Sequence, residues 1–411
     1  MPRRPFAICL AASILIAGLA PGPAARAAEE IRAVRVDDAT KTAAAVVVDG
    51  AKHLAYTSQI LPLDEQARDI AVDNVERQAQ AVLDHLEHAL KPAGSGIDRL
   101  VKVNVYLARS DLREGFQAVL ARRMGDRGSR PAVCYVTTPL PRPNVLLGID
   151  AVAVSDRAPT RAGNVDRFNL TDLTVQRVGN HVAILPAGAR LFISGQAEPG
   201  ADMAEATRKT LAGLDQTLKH FGLTRKQVVQ VKSFITPIGS VADAESEMID
   251  YFGPVSVPPL SFVEWKSAAS QPIEIEMVVA AGNHPEAAPI EYLAPPQLKQ
   301  SPVFSRVVRI NHGNLIYTSG LDGPARAGGA EQVGAIFSLL EKVLKESGSD
   351  LKHMAKATYY VSDEEASRAL NEIRPKLYDP ARPPAASKAM VGGVGSSGRT
   401  VTLDLIAAPA R

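Results

Sequence analysis

Leu191–Gly200 reads LFISGQAEPG, an apolar run of Leu, Phe and Ile that enters a small polar turn, Ser194-Gly195-Gln196. The same design occurs twice more, as LAYTSQILPLD over Leu54–Asp64 and LIYTSGLDGP over Leu315–Pro324. Working outward from each turn, a helix-period segment leads to a glycine (Gly94, Gly222, Gly348), spaced by 128 and 126 residues. A β-rich run follows: Leu100–Leu107, Val228–Ile235 and Met354–Val361. A proline-led segment comes next, at Pro131, Pro258 and Pro383, and then a carboxylate in a final strand, Asp150, Glu276 or Asp404. Landmarks in one order at nearly one period make three copies of one unit, and units of this length are domains rather than solenoid turns.

The chain has 411 residues, 46% hydrophobic and 22% charged, with a formal net charge of +2. That near-neutral balance and the scattered aromatics give no basic field or stacking platform for nucleic acid. Residues 1–28 read as a signal peptide: Arg3-Arg4, an apolar run over Phe6–Ala20, and Ala25-Arg26-Ala27 as a small-x-small cleavage site. Export to the periplasm or medium is therefore expected, with no membrane contact after cleavage. Cys9 falls inside that segment, which leaves Cys134 as the lone cysteine of the mature chain and allows no internal disulfide.

The first domain is expected over residues 29–157, the second over 166–282 and the third over 298–411, joined by polar linkers at Arg157–Val165 and Asn283–Pro296. Each domain should open with a β-hairpin turning at Asp49-Gly50, Pro186-Ala187-Gly188 or His312-Gly313-Asn314. A first helix carries an apolar stripe, for example Val82, Leu83, Leu86 and Leu90, or Val333, Ile336, Phe337, Leu340 and Leu344. Ser110-Asp111 and the pair Ser362/Glu365 are expected to cap the second helices of domains one and three. The result is α+β: a mixed sheet with two helices on one face in each repeat. The second sheet face, assigned residues such as Val103, Val105 and Leu107, needs cover as well. The other two repeats are its simplest cover, giving a closed pseudo-trimer in a monomeric chain.

With these elements in place the sequence resembles the RidA family (YjgF, UK114, L-PSP), whose fold is chorismate-mutase-like. The turn matches at Ser194-Gly195-Gln196, the V-K-V-x-V-Y-L strand at Val101–Leu107, the R-P-A segment at Arg130-Pro131-Ala132, and the I-E-I-E strand at Ile273–Val279. The resemblance implies a small-molecule site in each inter-domain cleft and hydrolysis of reactive enamines or imines to ketones and ammonia, with no cofactor or metal. It also implies an arginine that clamps a substrate carboxylate in bidentate fashion. Here the clamp position reads Val133, Leu260 and Ala385. No copy keeps the arginine, and Arg130, Arg382, Lys266, Lys388 and Arg399 are the nearby cations available to replace it.

The candidate catalytic residues are the recurring Asp150, Glu276 and Asp404. The candidate ligand-binding set is Ser58, Gln59, Ser194, Gly195, Gln196, Ser319 and Gly320 in the turns, with Val133, Cys134, Leu260 and Ala385 in the proline-led segments. Each has an ordinary structural reading: turn former, buried small hydrophobe, solvated strand carboxylate. His85 and His88, i and i+3 on a helix, read as a solvated face for want of a third metal ligand. Two further classes stay open: a ligand-binding or chaperone-like body without turnover, and a Ser–Lys cyclic amide hydrolase of the cyanuric acid hydrolase and barbiturase type. Lys102 and Lys356 match in position for the latter, but the second repeat has Gln230 there.

Overall fold

The computed structural model describes residues 30–410, apart from 127, 162, 177, 268–269 and 283–285. The expected signal peptide and Cys9 lie outside the described residues. The first repeat comprises β1 (Ile31–Asp37), β2 (Thr42–Val48), β3 (His53–Thr57), α1 (Val75–Leu90), β4 (Leu100–Leu107), α2 (Arg113–Met124), β5 (Ala132–Thr137) and β6 (Leu147–Ser155). The second comprises β7 (Asp166–Phe168), β8 (Val182–Leu185), β9 (Arg190–Gln196), α3 (Met203–His220), β10 (Val228–Ile235), α4 (Val241–Phe252), β11 (Leu260–Glu264) and β12 (Ile273–Ala280). The third comprises β13 (Ile290–Leu293), β14 (Val307–Ile310), β15 (Leu315–Thr318), β16 (Leu321–Asp322), α5 (Gly329–Ser347), β17 (Met354–Val361), α6 (Glu364–Leu377), β18 (Ala385–Met390) and β19 (Val401–Ala407).

The predicted α+β unit is present three times. In each, the β-rich strand runs parallel to the proline-led strand and antiparallel to the carboxylate strand: β4 with β5 and β6, β10 with β11 and β12, β17 with β18 and β19. The helix stripes bury as their spacing requires. Val82, Leu83, Leu86 and Leu90 of α1 and Val333, Ile336, Phe337, Leu340 and Leu344 of α5 are all at most 2% exposed. α5 stops at Gly348, whose φ of 87° is a left-handed conformation costly for other residues. Two caps differ from expectation. Ser110 opens a short 3₁₀ turn before α2, and Asp363, not Ser362, caps α6 by accepting from the Ala366 amide at 2.7 Å. The linker expected at Asn283–Pro296 contains β13.

The hairpins are a larger correction. β2 does not pair with β3; it pairs with β15 of the third repeat, while β3 pairs with β8 of the second. β9 of the second pairs in turn with β14 of the third. The turns at Gly50 and Gly313 are corners at which the chain leaves one sheet and enters its neighbour. They pack so closely that a Cβ on Gly50 would run into the Gly313 carbonyl. Each sheet is thus completed by strands from the next repeat, and β1 and β2 complete the last one. An Arg35–Glu346 ion pair at 2.6 Å lies across that closure. Local turn chemistry specifies a reversal of direction; it does not specify which of three similar sheet edges receives the strand.

Each helix layer packs on its own sheet to form a separate core, and two further apolar clusters draw on all three repeats. One contains Tyr56, Phe192 and Tyr317; the other contains Tyr106, Phe234 and Tyr360. Val103, Val105 and Leu107, expected on the far face, point into the helix-side core. The far face is indeed covered, but by Val101 and its neighbours and by a polar layer between the two shared clusters. The register shift between Leu100 and Lys102 changes which residues face inward at that point.

Candidate functional site

The polar layer forms where strand register fixes three residue sets. Asp150 lies opposite Asn104, Glu276 opposite Lys232 and Asp404 opposite Thr358. Asp150 accepts from Asn104 Nδ2 at 2.7 Å, from the Tyr106 hydroxyl, and from Ser261 Oγ of the second repeat at 2.9 Å. Glu276 accepts from Ser387 Oγ at 2.9 Å and pairs with Lys356 Nζ at 2.8 Å, both from the third repeat. Asp404 pairs with Lys102 Nζ of the first repeat at 2.8 Å. Lys232 stands 5.7 Å above the Tyr106 ring. Burial alone would push the Asp404 carboxyl up, yet Lys102, followed by Lys232 and Lys356, holds it below its ordinary value.

Three carboxylates and three ammonium groups therefore meet between the repeats, nearly all withdrawn from solvent. Asp150 is 1% exposed and Glu276 3%. The chamber lined by Lys102, Lys232, Lys356, Glu276 and Asp404 holds about 40 Å³, room for roughly one or two water molecules and too little for a substrate. Asp150, Glu276 and Asp404 thus sit in a closed, charge-balanced layer and not at the clefts where the resemblance places catalysis. The same lysines bear on the Ser–Lys alternative: the Lys102 ammonium is held by Asp404 and by the Thr318 carbonyl at 2.6 Å.

Two residues earlier on each carboxylate strand is a second position, beside the turn of its own repeat. Register equates Gly148, Glu274 and Thr402, which face Tyr106, Phe234 and Tyr360. Only the second repeat is acidic there. Glu274 lies between Gly195 of its own turn and Ser387 of the third repeat, and a Cβ on Gly195 would collide with the Glu274 carboxylate. Its Oε1 is buried without a hydrogen-bond partner. Burial pushes its carboxyl up to about 7; the Ser387 hydroxyl opposes the rise and the Glu276 charge adds to it. The Ile273-Glu274-Ile275-Glu276 run contains both carboxylates, and recurrence favours Glu276, because only that position is acidic in all three copies.

The turn serines knit neighbouring repeats. The Ser58, Ser194 and Ser319 amides donate to the carbonyls of His181, Arg306 and Ala44, at 2.9, 3.0 and 2.8 Å. Ser194 Oγ also donates to the Ser305 carbonyl at 2.6 Å and accepts from the Ala386 amide at 2.8 Å. The three amides and the Ser194 hydroxyl tie neighbouring repeats together, while Ser58 Oγ is buried without a hydrogen-bond partner. Gln59 and Leu260 meet across the first and second repeats, with a 2.8 Å bond from the Gln59 amide to the Leu260 carbonyl. Gly320 meets Val133 across the third and first at 3.0 Å, and lies against Cys134 and Thr402. Gln196 turns away, donating to Thr217 of its own helix at 3.1 Å.

One clamp position moves. Cys134, Ser261 and Ser387 are register equivalents, so Ala386, not Ala385, stands where Val133 and Leu260 do. Pro384, not Pro383, is the counterpart of Pro131 and Pro258, which accounts for the slip. No arginine occupies the position on either alignment. Arg130 stays local, donating to the Gly128 carbonyl at 2.7 Å, and Lys388 donates to Ser367 at 3.0 Å. Arg399 donates to the Gly323 carbonyl at 2.8 Å, while Arg382 and Lys266 are exposed. The Cys134 thiol is pushed up to about 12 by burial and by Asp404, so it stays protonated. His88 contacts Asp172 at 3.1 Å, and among the described residues no group of three His, Cys, Asp or Glu side chains is placed to hold a metal.

Three mixed α+β sheets that share strands and meet around a polar layer define the protein class. The family profile described as Endoribonuclease L-PSP matches residues 39–155, 174–282 and 297–408. The chain belongs to this family, the RidA/YjgF/UK114 group, in three tandem copies. The RutC family protein UK114 of Drosophila melanogaster is 31% identical over 119 residues, 28% of this chain and 81% of that protein. A putative endoribonuclease from Thermotoga maritima is 27% identical, covering 31% of this chain and 98% of its own, with a TM-score of 0.24. A YjgF/YER057c/UK114 family member from Mycobacterium tuberculosis is 26% identical, covering 25% and 85%, with a TM-score of 0.22. Among the described residues no helix is long and apolar enough to cross a membrane.

Proposed function

We propose that this chain is an exported, single-chain counterpart of a trimer, in which the cleft between the second and third repeats hydrolyses a C=N or enamine bond. The observation that carries the reading is Glu274: a carboxyl raised to about 7, with an unpartnered oxygen, between the Gly195 turn of the second repeat and Ser387 of the third. A group poised near neutrality can protonate the enamine or imine and then accept a proton from the attacking water. Water adds to the carbon as Glu274 takes its proton, Glu274 passes that proton to the nitrogen, the C–N bond breaks as the C=O bond forms and ammonia leaves, and the hydroxyl proton of the carbinol returns to Glu274. The missing clamp favours an imine without a carboxylate, because nothing at Ala386 can pair with one.

The test is ammonia release from a freshly generated neutral imine, with a 2-imino acid in parallel. Turnover should be faster on the neutral compound and lost in Glu274→Gln. Equal loss in Asp150→Asn with Glu274→Gln still active would overturn the assignment. The uncharged Gly148 and Thr402 positions favour binding without turnover in the other two clefts. Export is checked by the N-terminal residue of the secreted chain, expected just after Ala27 or Ala28.

A further inference from the structure

The three clefts differ in what replaces the cleft carboxylate, and between the first and second repeats the replacement is a glycine. There the Leu61 and Gln59 side chains pack against Gly148, so aliphatic groups take the space that the Glu274 side chain takes in the neighbouring repeat. A cavity of about 260 Å³ lies in this cleft, and its walls include Leu61 and Leu63 from one repeat and Ile238, Val241, Leu260 and Phe262 from the other.

The charged and amide side chains at this cavity are already engaged. The Gln59 side chain donates to the Phe262 carbonyl at 3.2 Å and accepts from the Phe262 amide at 3.2 Å. Arg142 is ion-paired with Asp69, and Gln176 donates to the Asn180 carbonyl at 3.3 Å. Glu245 likewise has a partner. A ligand carboxylate entering here would have to break an existing ion pair to gain one, while an apolar surface meets aliphatic and aromatic walls that lose water on contact. The volume lies just under the roughly 300 Å³ at which drug-sized pockets begin.

We propose that the cleft between the first and second repeats is a binding site for a small, uncharged, largely apolar molecule of about two fused rings. It is a site distinct in chemistry from the acidic cleft at Glu274 and independent of turnover there. Gly239 supplies the means to test it: the residue lines the cavity, and a Cβ built there meets nothing within 4 Å.

The full chain is titrated by calorimetry with 2-naphthol and with 2-naphthoate, a matched pair differing in charge. The naphthol should bind in about the micromolar range and the naphthoate about tenfold or more weaker. Gly239→Trp should weaken naphthol by about tenfold or more, and Glu274→Gln should leave it unchanged. Nuclear Overhauser contacts from bound naphthol to the Leu61 methyls and the Phe262 ring provide a readout that needs no variant. Naphthoate binding as tightly as naphthol, Gly239→Trp binding normally, or naphthol contacts at residues other than these would each overturn the proposal. Naphthol binding that leaves ammonia release in place separates this site from the acidic one.

Discussion

Glu274 and Glu276 sit on one strand, two residues apart, on the same face of β12, and they have opposite fates. Glu276 is held by Lys356 and Ser387 inside a layer that sets three carboxylates against three lysines. Glu274, one step toward the cleft, touches the same Ser387 but has an oxygen with no partner and a carboxyl raised to about 7. Depth along a strand, rather than residue type, separates a carboxylate that holds the repeats together from one available for proton transfer. A buried pair with good geometry gains little over apolar packing but is costly to break, because the surviving charge stays buried alone.

The comparison breaks most visibly at Glu276. Glu276→Ala should lower unfolding free energy by about 3–5 kcal/mol by stranding Lys356, read by urea denaturation. Pairing Glu276→Leu with Lys356→Met should recover most of the loss. Glu274→Gln should leave stability near wild type at pH 5 while cutting ammonia release by about a hundredfold or more. If the two variants exchange these phenotypes, the roles assigned along β12 are reversed.

Acidity sharpens the contrast further. The Glu274 carboxyl is raised in the folded state from an ordinary value of 4.5. The native form therefore binds the extra proton, and the stability this contributes is fully present below about 4.5 and is lost as pH climbs through about 7. Asp404 is depressed below 3.8, so its contribution is present above that value and is lost on further acidification. Glu274→Gln should flatten the neutral limb of a stability–pH profile, and Asp404→Asn the acid limb. Ser387→Ala removes a hydroxyl that steadies both glutamates, at a cost of about 1 kcal/mol. It should also move the activity profile to higher pH, since that hydroxyl opposes the rise at Glu274. The smallest effect is expected at Tyr56→Phe, which breaks the 2.7 Å bond to the Tyr317 hydroxyl within the shared apolar cluster and should cost about 1 kcal/mol or less.

The repeat, the element order and the helix faces were legible because each rests on a local signal: the recurring S-G-Q-type turn, the apolar stripes of α1 and α5, and the glycines that end their helices. The loss of the clamp arginine was equally legible. What escaped needed distance. The turns at Gly50 and Gly313 looked like hairpins because a reversal is all that four residues can encode. Cys134, Ser261 and Ser387 became equivalent only through register, which exposed the one-residue slip at Ala385. Glu274 escaped for a different reason, since repetition favours the position kept in all copies, whereas chemistry needs only one.

The exchanged strands carry a consequence for how the three repeats can be separated. Cutting at the linkers would give each fragment one sheet missing its outer strands and a pair of strands without their sheet. A middle fragment ending near Gly282 would leave the β9 edge bare while presenting β8 to nothing. Such pieces should associate with one another rather than stay apart. The polypeptide behaves as a belt whose buckle is its own beginning: β1 and β2, the first strands made, find their seat on β15 only after the third repeat has emerged.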